Sequence, residues 1–247
     1  MASTPAERYD FYHNVVSGIP GWLHQGTAIR TMDMLEFQED RGIAGSVLEI
    51  GVMCGRYFSI LVRSAARTGS RAVGIDLFHD HPVPKVMEYL QPALGANHAN
   101  VHLLPAYSTD LTADVLLSHL ADRARFISVD GSHERNDVFW DINLAEQLVA
   151  PGGIVAVDDF INPVTLGVNE AVHLFFAQPR RLVPWAYIEN KLFLCQSQSS
   201  HIYRQMLEET VMRDDREPHS KSFQDNVKIA RGLVEQRLWG SPLLIVN

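Results

Sequence analysis

Short runs of apolar, mostly β-branched residues alternate with helical periodicity through the middle of the chain. The clearest case is residues 126–162, where the apolar runs 126–129 and 154–157 flank a segment, 134–149, with apolar positions three or four residues apart. Pro151 and two glycines end that segment. Strand, helix and strand over this length predict a right-handed βαβ unit with two parallel strands in one sheet.

The same alternation extends in both directions from this unit. The expected strands are 46–50, 72–76, 101–104, 182–188 and 191–195, of which the first runs into a glycine turn and the last two are antiparallel. The expected helices are 28–41, 56–68, 85–94, 113–120, 168–177, 201–213 and 223–239, and Thr27 is expected to cap the first of them. The pattern predicts an α/β, Rossmann-like, doubly wound and mostly parallel sheet. Helices cover both faces, an antiparallel hairpin lies at one edge, and a helical extension follows at the C-terminus.

We expect three parts: an N-terminal helical cap at 1–45, a core at 46–197 and the C-terminal helical extension at 198–247. Within the cap, Trp22 lies in a predicted loop before the Thr27 helix. The favoured interpretation is that Trp22 packs under that helix, and the alternative is a lid over a ligand.

Composition limits the classes of partner. The chain has 247 residues, of which 46% are hydrophobic, and its net charge is −8. Net negative charge disfavours binding to nucleic acids or anionic membranes. We found no run of about 18 apolar residues, and Cys54 and Cys195 are expected to be free thiols. These features predict a cytoplasmic protein with a small-molecule partner, with self-association into a homo-oligomer left open.

Acidic residues follow the two strands of the βαβ unit. Asp130 comes after the first, and Asp158 and Asp159 come after the second. Neighbouring strands lie roughly 5 Å apart, so the three carboxylates are expected to crowd one edge of the sheet, where ligand sites of open α/β sheets lie. Three such charges need a proton or a cation between them, and Mg²⁺ or Mn²⁺ suits oxygen ligands. Loop or helix-capping acids are the structural alternative.

The glycine turn after the first strand indicates which nucleoside could bind. Dinucleotide sites use G-x-G-x-x-G, because the pyrophosphate approaches the backbone closely. Here Met53 stands where the second glycine would be, between Gly51 and Gly55. S-adenosylmethionine has no phosphate and carries a positive sulfonium, which acidic residues would favour. Glu49, Asp76 and Asp130 are placed to supply that negative field.

These segments resemble a known family. The turn E-I-G-V-M-C-G-R-Y at residues 49–57 is similar to the cofactor turn of catechol O-methyltransferase. The stretches D-G-S-H at 130–133 and P-G-G-I-V-A-V-D-D-F at 151–160 resemble bacterial O-methyltransferases that act on macrolide sugars and other natural products. The resemblance covers roughly residues 20–196, and indicates a class I, divalent-metal-dependent O-methyltransferase.

The resemblance implies a seven-stranded sheet with one antiparallel strand, and it assigns roles by position. Asp130, Asp158 and Asp159 match the metal ligands, and His133 matches the general base, for which a surface histidine is the structural alternative. The cofactor-binding residues are expected to be Glu49, Gly51, Met53, Gly55, Asp76, Leu77, Ser108 and Asp130, with Gly51 near the cofactor through its backbone, Asp76 on the ribose and Ser108 on the adenine side.

The sequence therefore predicts methyl transfer from S-adenosylmethionine to a small-molecule hydroxyl, with Mg²⁺ or Mn²⁺ as second cofactor. A sugar or polyhydroxylated natural product is the favoured acceptor, and a catechol-type phenol is the alternative. A S-adenosylmethionine-binding protein without turnover is the second class. A nicotinamide oxidoreductase is the third, and Met53 argues against it.

Overall fold

The strands of the protein form one sheet. The computed structural model describes residues 4–94, 100–230 and 236–247. Over these ranges nine strands lie in the order β3-β2-β1-β4-β5-β7-β6-β9-β8. Their bounds are Ser46–Ile50 (β1), Ala72–Asp76 (β2), Val101–Pro105 (β3), Ala124–Val129 (β4), Val149–Val157 (β5), Leu182–Ile188 (β6), Lys191–Gln196 (β7), Gln236–Leu238 (β8) and Ser241–Val246 (β9).

Strand direction places most carboxyl ends at one edge of the sheet. Strands β1 to β5 pair in parallel. β7 is antiparallel to both β5 and β6, β9 is parallel to β6, and β8 is antiparallel to β9. The predicted βαβ unit is confirmed, since β4 and β5 are parallel neighbours with Val129 beside Val157. The residues that follow these two strands therefore lie side by side.

The helices connect and cover these strands. Their bounds are Pro5–Asn14 (α1), Gln25–Asp40 (α2), Phe58–Thr68 (α3), Val83–Leu94 (α4), Ala113–Leu120 (α5), Arg135–Leu148 (α6), Leu166–Phe176 (α7), Ser200–Arg213 (α8) and Pro218–Ala230 (α9). None of the helices within the described ranges is long and apolar enough to span a bilayer.

Alternation along each strand divides the core into two layers. On β1, Val47 belongs to the layer formed with α2, α3, α4 and α8, whereas Leu48 belongs to the layer formed with α5, α6 and α7. Successive strand residues point to opposite faces, and both residues are fully buried. Helices on both faces thus confirm the doubly wound α/β prediction.

The sheet is larger than the resemblance implied. Strands β1 to β7 have the expected six-plus-one arrangement, but β9 and β8 extend the sheet beyond the β6–β7 hairpin. The prediction of a helix through Trp239 was wrong: α9 ends at Ala230, and Gln236–Leu238 is a strand. Part of that predicted helix, residues 231–235, lies outside the described residues. Gln236–Leu238 pairs with β9, which in turn pairs with β6, and these tertiary contacts override the local helical pattern.

The start of α2 also differs from the prediction. The helix begins at Gln25 after His24, so Thr27 lies inside its first turn. The N–H and hydroxyl of Thr27 both donate to Glu189 Oε2, each at 2.7 Å. Glu189 lies in the turn between β6 and β7, so a distant carboxylate caps this helix. A cap of this kind has no signal in the local sequence.

Candidate active site

A cavity of about 860 Å³ opens where β1, β2, β4 and β5 end. It is lined by the residues that follow these strands, by residues 106–109 after β3 and by residues 20–24 before α2. Ligand sites of open α/β sheets lie at this edge. Small-molecule sites typically have volumes of about 300–1,000 Å³, so this cavity has the size of a cofactor and substrate site.

Glycine is required where the first turn approaches β4. Gly51 has a φ of 92°, and a Cβ at this position would overlap the carbonyl oxygen of Asp130. Met53 has a φ of 50°, is 39% exposed and lines the cavity. The turn therefore presents backbone at Gly51 and a mobile thioether side chain at Met53 to whatever fills the cavity.

Gly55, the last residue of the turn, has a different role. It is not among the lining residues of the cavity. A Cβ on Gly55 would lie 3.1–3.4 Å from atoms of Leu90 and Val86 in α4. Gly55 therefore permits the close packing of α4 against the turn, and the geometry gives it no direct contact with a ligand.

Asp76 ends β2 and holds the turn in place. Its Oδ2 accepts the Met53 N–H at 2.7 Å, and its Oδ1 accepts the Phe78 N–H at 2.9 Å. Each carboxylate oxygen can accept more than one hydrogen bond, so Asp76 can serve a ligand hydroxyl as well. Leu77 also lines the cavity, as does Ser108, whose carbonyl accepts the indole N–H of Trp140 at 3.2 Å.

Glu49 is the deepest acid of the site. It lies on β1, is 1% exposed and lines the cavity. No described residue donates a hydrogen bond to its Oε2. Burial raises the pKa of Glu49 well above its usual value, and the Lys191 ammonium opposes that rise. A buried acid with an unsatisfied oxygen is a ready partner for a cationic or hydroxyl-bearing ligand.

Asp130, His133 and Asp159 converge beside the glycine turn. Each offers one ligand atom, and these three atoms lie within 4.8 Å of one another. His133 Nε2 is 3.2 Å from Asp159 Oδ2. Opposite ligands of Mg²⁺ are roughly 4.2 Å apart, so the spacing is close to that of a divalent cation site. The two carboxylates suit such an ion, and the imidazole beside them could act as a further ligand or as a proton acceptor.

The side chain of Asp159 is held firmly. The residue has a φ of 56°, a conformation that aspartate tolerates better than most residues. Its Oδ1 accepts the amide N–H groups of Asn162 and Asn190, each at 2.9 Å. Sequence reasoning missed both asparagines, since Asn190 lies in a hairpin turn that the βαβ pattern does not include. Together they leave Oδ2 facing His133.

Asp158 is directed to a different partner, Lys191. Lys191 opens β7, is 1% exposed, and its Nζ lies 3.1 Å from Asp158 Oδ2 and 3.8 Å from Asp130 Oδ2. Burial pushes the pKa of Asp158 up, but Lys191 outweighs that effect and the pKa lies below its usual value. Burial and the neighbouring Asp158 charge raise the pKa of Asp130. Sequence reasoning did not single out Lys191.

Trp22 does not pack under α2. It is 89% exposed and lines the cavity, so the favoured interpretation from the sequence was wrong and the alternative of a residue over the ligand site fits. The loop that carries Trp22 is held by a hydrogen bond that the Arg56 guanidinium donates to the carbonyl oxygen of Gly21.

The sequence of the central region matches a known family. Residues 48–160 match the family described as “Methyltransferase domain”. No curated protein matches the chain. The matched residues include the glycine turn, Asp76, Asp130, His133 and both acids after β5.

Solved O-methyltransferase structures have a similar fold. CalS11, a TDP-rhamnose 3'-O-methyltransferase of calicheamicin biosynthesis, is 16% identical, with a TM-score of 0.54 over 78% of this chain and 96% of that chain. TomG from Streptomyces achromogenes, involved in tomaymycin synthesis and in complex with SAM, is 16% identical, with a TM-score of 0.54 over 77% of this chain and 87% of that chain. An O-methyltransferase from Bacillus cereus in complex with SAH is 16% identical, with a TM-score of 0.54 over 77% and 88% of the two chains.

At this level of identity the structural likeness demonstrates a shared fold, and the family match concerns residues 48–160. The sheet order, the glycine turn and the acids at the strand ends agree with both. Residues 48–160 therefore match a methyltransferase domain, and the chain shares the fold of the O-methyltransferase structures described above.

Proposed function

We propose that this protein is an O-methyltransferase that transfers the methyl group of S-adenosyl-L-methionine to a hydroxyl of a small molecule, with assistance from a divalent cation. The observation that carries the proposal is the convergence of Asp130, His133 and Asp159 beside the glycine turn, in one cavity. A proton acceptor and a cation-binding site next to a nucleoside site would together serve metal-assisted O-methylation.

The donor side of the cavity suits a sulfonium. Glu49 and Asp130 place carboxyl oxygens in the cavity, whose ionised form a bound cation would favour, and Gly51 allows close approach to the backbone. Asp76 would keep lone pairs for the ribose hydroxyls, and Ser108 would face the adenine. TomG and the Bacillus cereus enzyme are described in complex with SAM and SAH, which supports the same donor here.

The acceptor side offers His133 as a general base. Its Nε2 contacts Asp159, so Nε2 carries the hydrogen and Nδ1 is left to take the acceptor's proton. As the O–H bond breaks, the oxygen forms a bond to the methyl carbon. The carbon–sulfur bond breaks with its electron pair going to sulfur, which leaves S-adenosylhomocysteine.

A divalent cation of the Mg²⁺ or Mn²⁺ type would be held by the carboxylates of Asp130 and Asp159. Bound there, it would lower the pKa of a neighbouring hydroxyl. Asp158, the third ligand expected from the sequence, also lines the cavity, but its Oδ2 is paired with Lys191. The two asparagines that hold Asp159 would keep its free oxygen turned toward the ion.

We propose a sugar or polyhydroxylated natural product as acceptor. Trp22 and Tyr107 line the cavity and are 89% and 58% exposed. Aromatic faces exposed beside a polar centre suit a ring that has an apolar face and hydroxyl edges. CalS11 is described as a TDP-rhamnose 3'-O-methyltransferase and TomG as involved in tomaymycin synthesis, which supports this class.

The test is a comparison of binding and turnover in the wild type and His133→Gln. S-adenosylmethionine binding is measured by calorimetry, and methyl transfer is measured with a panel of nucleotide sugars, glycosides and catechols in Mg²⁺ or Mn²⁺. We expect kcat to fall about 10²–10⁴-fold in His133→Gln. The donor Kd should change less than about twofold, since His133 faces the acceptor.

His201→Gln, on the exposed side of α8, is the matched control and should keep full activity. Donor binding without methylation of any acceptor would support the non-catalytic alternative. Methylation of catechols alone would replace the proposed acceptor class. Tight binding of NADH with no binding of S-adenosylmethionine would contradict the proposal altogether.

A further inference from the structure

The proposed function leaves one buried charge of the site unexplained, the ammonium of Lys191. The antiparallel register pairs Val157 with Leu192, which sets Lys191 beside Asp158. Its Nζ lies 3.1 Å from Asp158 Oδ2 and 4.4 Å from the centre of the Tyr57 ring. A lysine is almost never fully buried unless it is paired, and here the paired acids belong to the candidate cation site.

The position of Lys191 divides the acidic cluster into two sides. On one side, Asp158 Oδ2 faces the ammonium, and Asp130 Oδ2 is 3.8 Å from it. On the other side, Asp159 is held by two asparagines and faces His133. An ammonium and a divalent cation repel each other and compete for the same carboxylate oxygens. The second oxygen of Asp158, Oδ1, is buried and receives no hydrogen bond from the described residues.

We infer that Lys191 is a built-in counter-cation of this site, which occupies Asp158 and confines a divalent ion to the side formed by Asp130 and Asp159. The inference rests on the cation site of the proposed function and refines its ligand set. Lys191 is a positioning residue in this scheme: it acts through Asp158 and lies outside the lining of the cavity.

A double-mutant cycle on the full chain tests the inference through Mn²⁺ binding, measured by calorimetry and by electron paramagnetic resonance without donor or acceptor. In Lys191→Met, Asp158 is released and one positive charge is lost, so the Mn²⁺ Kd should fall about tenfold or more. Asp158→Asn in the wild type should change the Kd less than about threefold, whereas Asp130→Asn should weaken binding about tenfold or more. Asp158→Asn in the Lys191→Met background should abolish the gain.

Thermal unfolding gives a second readout. Mn²⁺ should raise the Tm of Lys191→Met more than that of the wild type, because the ion replaces the lost ammonium. If Lys191→Met does not fold, the comparison of Asp158→Asn with Asp130→Asn in the wild-type background decides alone. Equal losses in that comparison, or an unchanged Kd in folded Lys191→Met, would overturn the inference.

The same proteins separate this result from the proposed function. Methyl transfer by the wild type in Mn²⁺ tests the activity without reference to Lys191. If the wild type turns over and Asp158→Asn and Asp130→Asn weaken Mn²⁺ binding equally, the role inferred for Lys191 is rejected. The proposed O-methyltransferase function is then retained. Absence of Mn²⁺ binding in every variant would reject the counter-cation, and turnover would then show whether methyl transfer proceeds without the ion.

Discussion

Asp141 is a fully buried acid in α6, next to the loop that follows β4. Its Oδ2 lies 3.6 Å from the position that a Cβ on Gly131 would take. Burial raises the pKa of Asp141 from 3.8 to about 7, with a nearby Ser108 partly offsetting the rise. Because the folded pKa lies above the unfolded value, the folded state binds more protons between these two pKa values, and the free energy of unfolding falls as pH rises through that window.

We predict that Asp141→Asn removes the decrease in the free energy of unfolding that the buried Asp141 causes as pH rises. Relative to the wild type, the variant should gain stability as pH rises from about 4 to about 7, by up to about 4 kcal/mol, since one pKa unit corresponds to about 1.4 kcal/mol. Urea unfolding at several pH values measures the difference. Asp114→Asn, an exposed acid on α5, is the control for general loss of charge. A stability difference that does not vary with pH would contradict the prediction.

The acids of the site could be predicted from the sequence, but their partners could not. Asp130, Asp158 and Asp159 directly follow apolar runs, and two parallel strands must bring their ends together. Lys191 reaches the same place through a long-range antiparallel pairing with β5. A single lysine at the start of a strand has no periodic signal, so only the tertiary structure identifies it. The exposure of Trp22 is equally a property of the packed fold.

At the scale of elements, the turn between β6 and β7 connects the first long helix with the active site. Glu189 caps α2 through Thr27, while the next two residues, Asn190 and Lys191, contact Asp159 and Asp158. A carboxylate at a helix N-terminus satisfies a free N–H group and interacts favourably with the helix dipole. One turn therefore fixes both the helix start and two acids of the site.

We predict that Glu189→Gln lowers the free energy of unfolding by about 1–2 kcal/mol, since the amide keeps the shape but loses the charge that caps α2. Chemical denaturation followed by circular dichroism measures the change. Glu170→Gln, at an exposed position of α7, removes the same charge without a cap and should be close to neutral. Equal effects of the two substitutions would argue against a specific capping role.

Element prediction succeeded where the pattern was local. α5 and β6 have the predicted bounds, Ala113–Leu120 and Leu182–Ile188, because each has a clear period and a clear stop signal. The predicted helix through Trp239 failed, since Gln236–Leu238 pairs with Ser241–Val246, which in turn pairs with β6. The Trp239–Gly240 turn is the sequence signal that could have indicated a hairpin there.

At the scale of the whole molecule, β9 joins the C-terminal extension to the sheet. Leu244 pairs with Ala186 and is 6% exposed, in the layer formed with α2, α3 and α8. The extension is also held by Asp214, after α8, which accepts from the Arg30 guanidinium in α2. The last strand therefore contributes to the common core.

We predict that Leu244→Asp destabilises the protein by about 3 kcal/mol or more, because it places an unpaired charge in the core. The neighbouring Ile245 points to the other face and is 40% exposed, so Ile245→Asp is a control with the same chemical change. Thermal unfolding of the two variants measures the contrast. A similar Tm for both would mean that β9 adds little to the stability of the fold.

The two outermost strands bear on how copies of this protein can associate. β3 has five residues and ends at Pro105, which has no N–H to donate, and β8 has three residues with Arg237 exposed among them. Short edge strands that contain proline or a charged side chain offer few backbone hydrogen-bonding groups to an incoming strand. They therefore discourage edge-to-edge aggregation of sheets. Dimers of this chain, where they form, are accordingly expected to meet through helical surfaces.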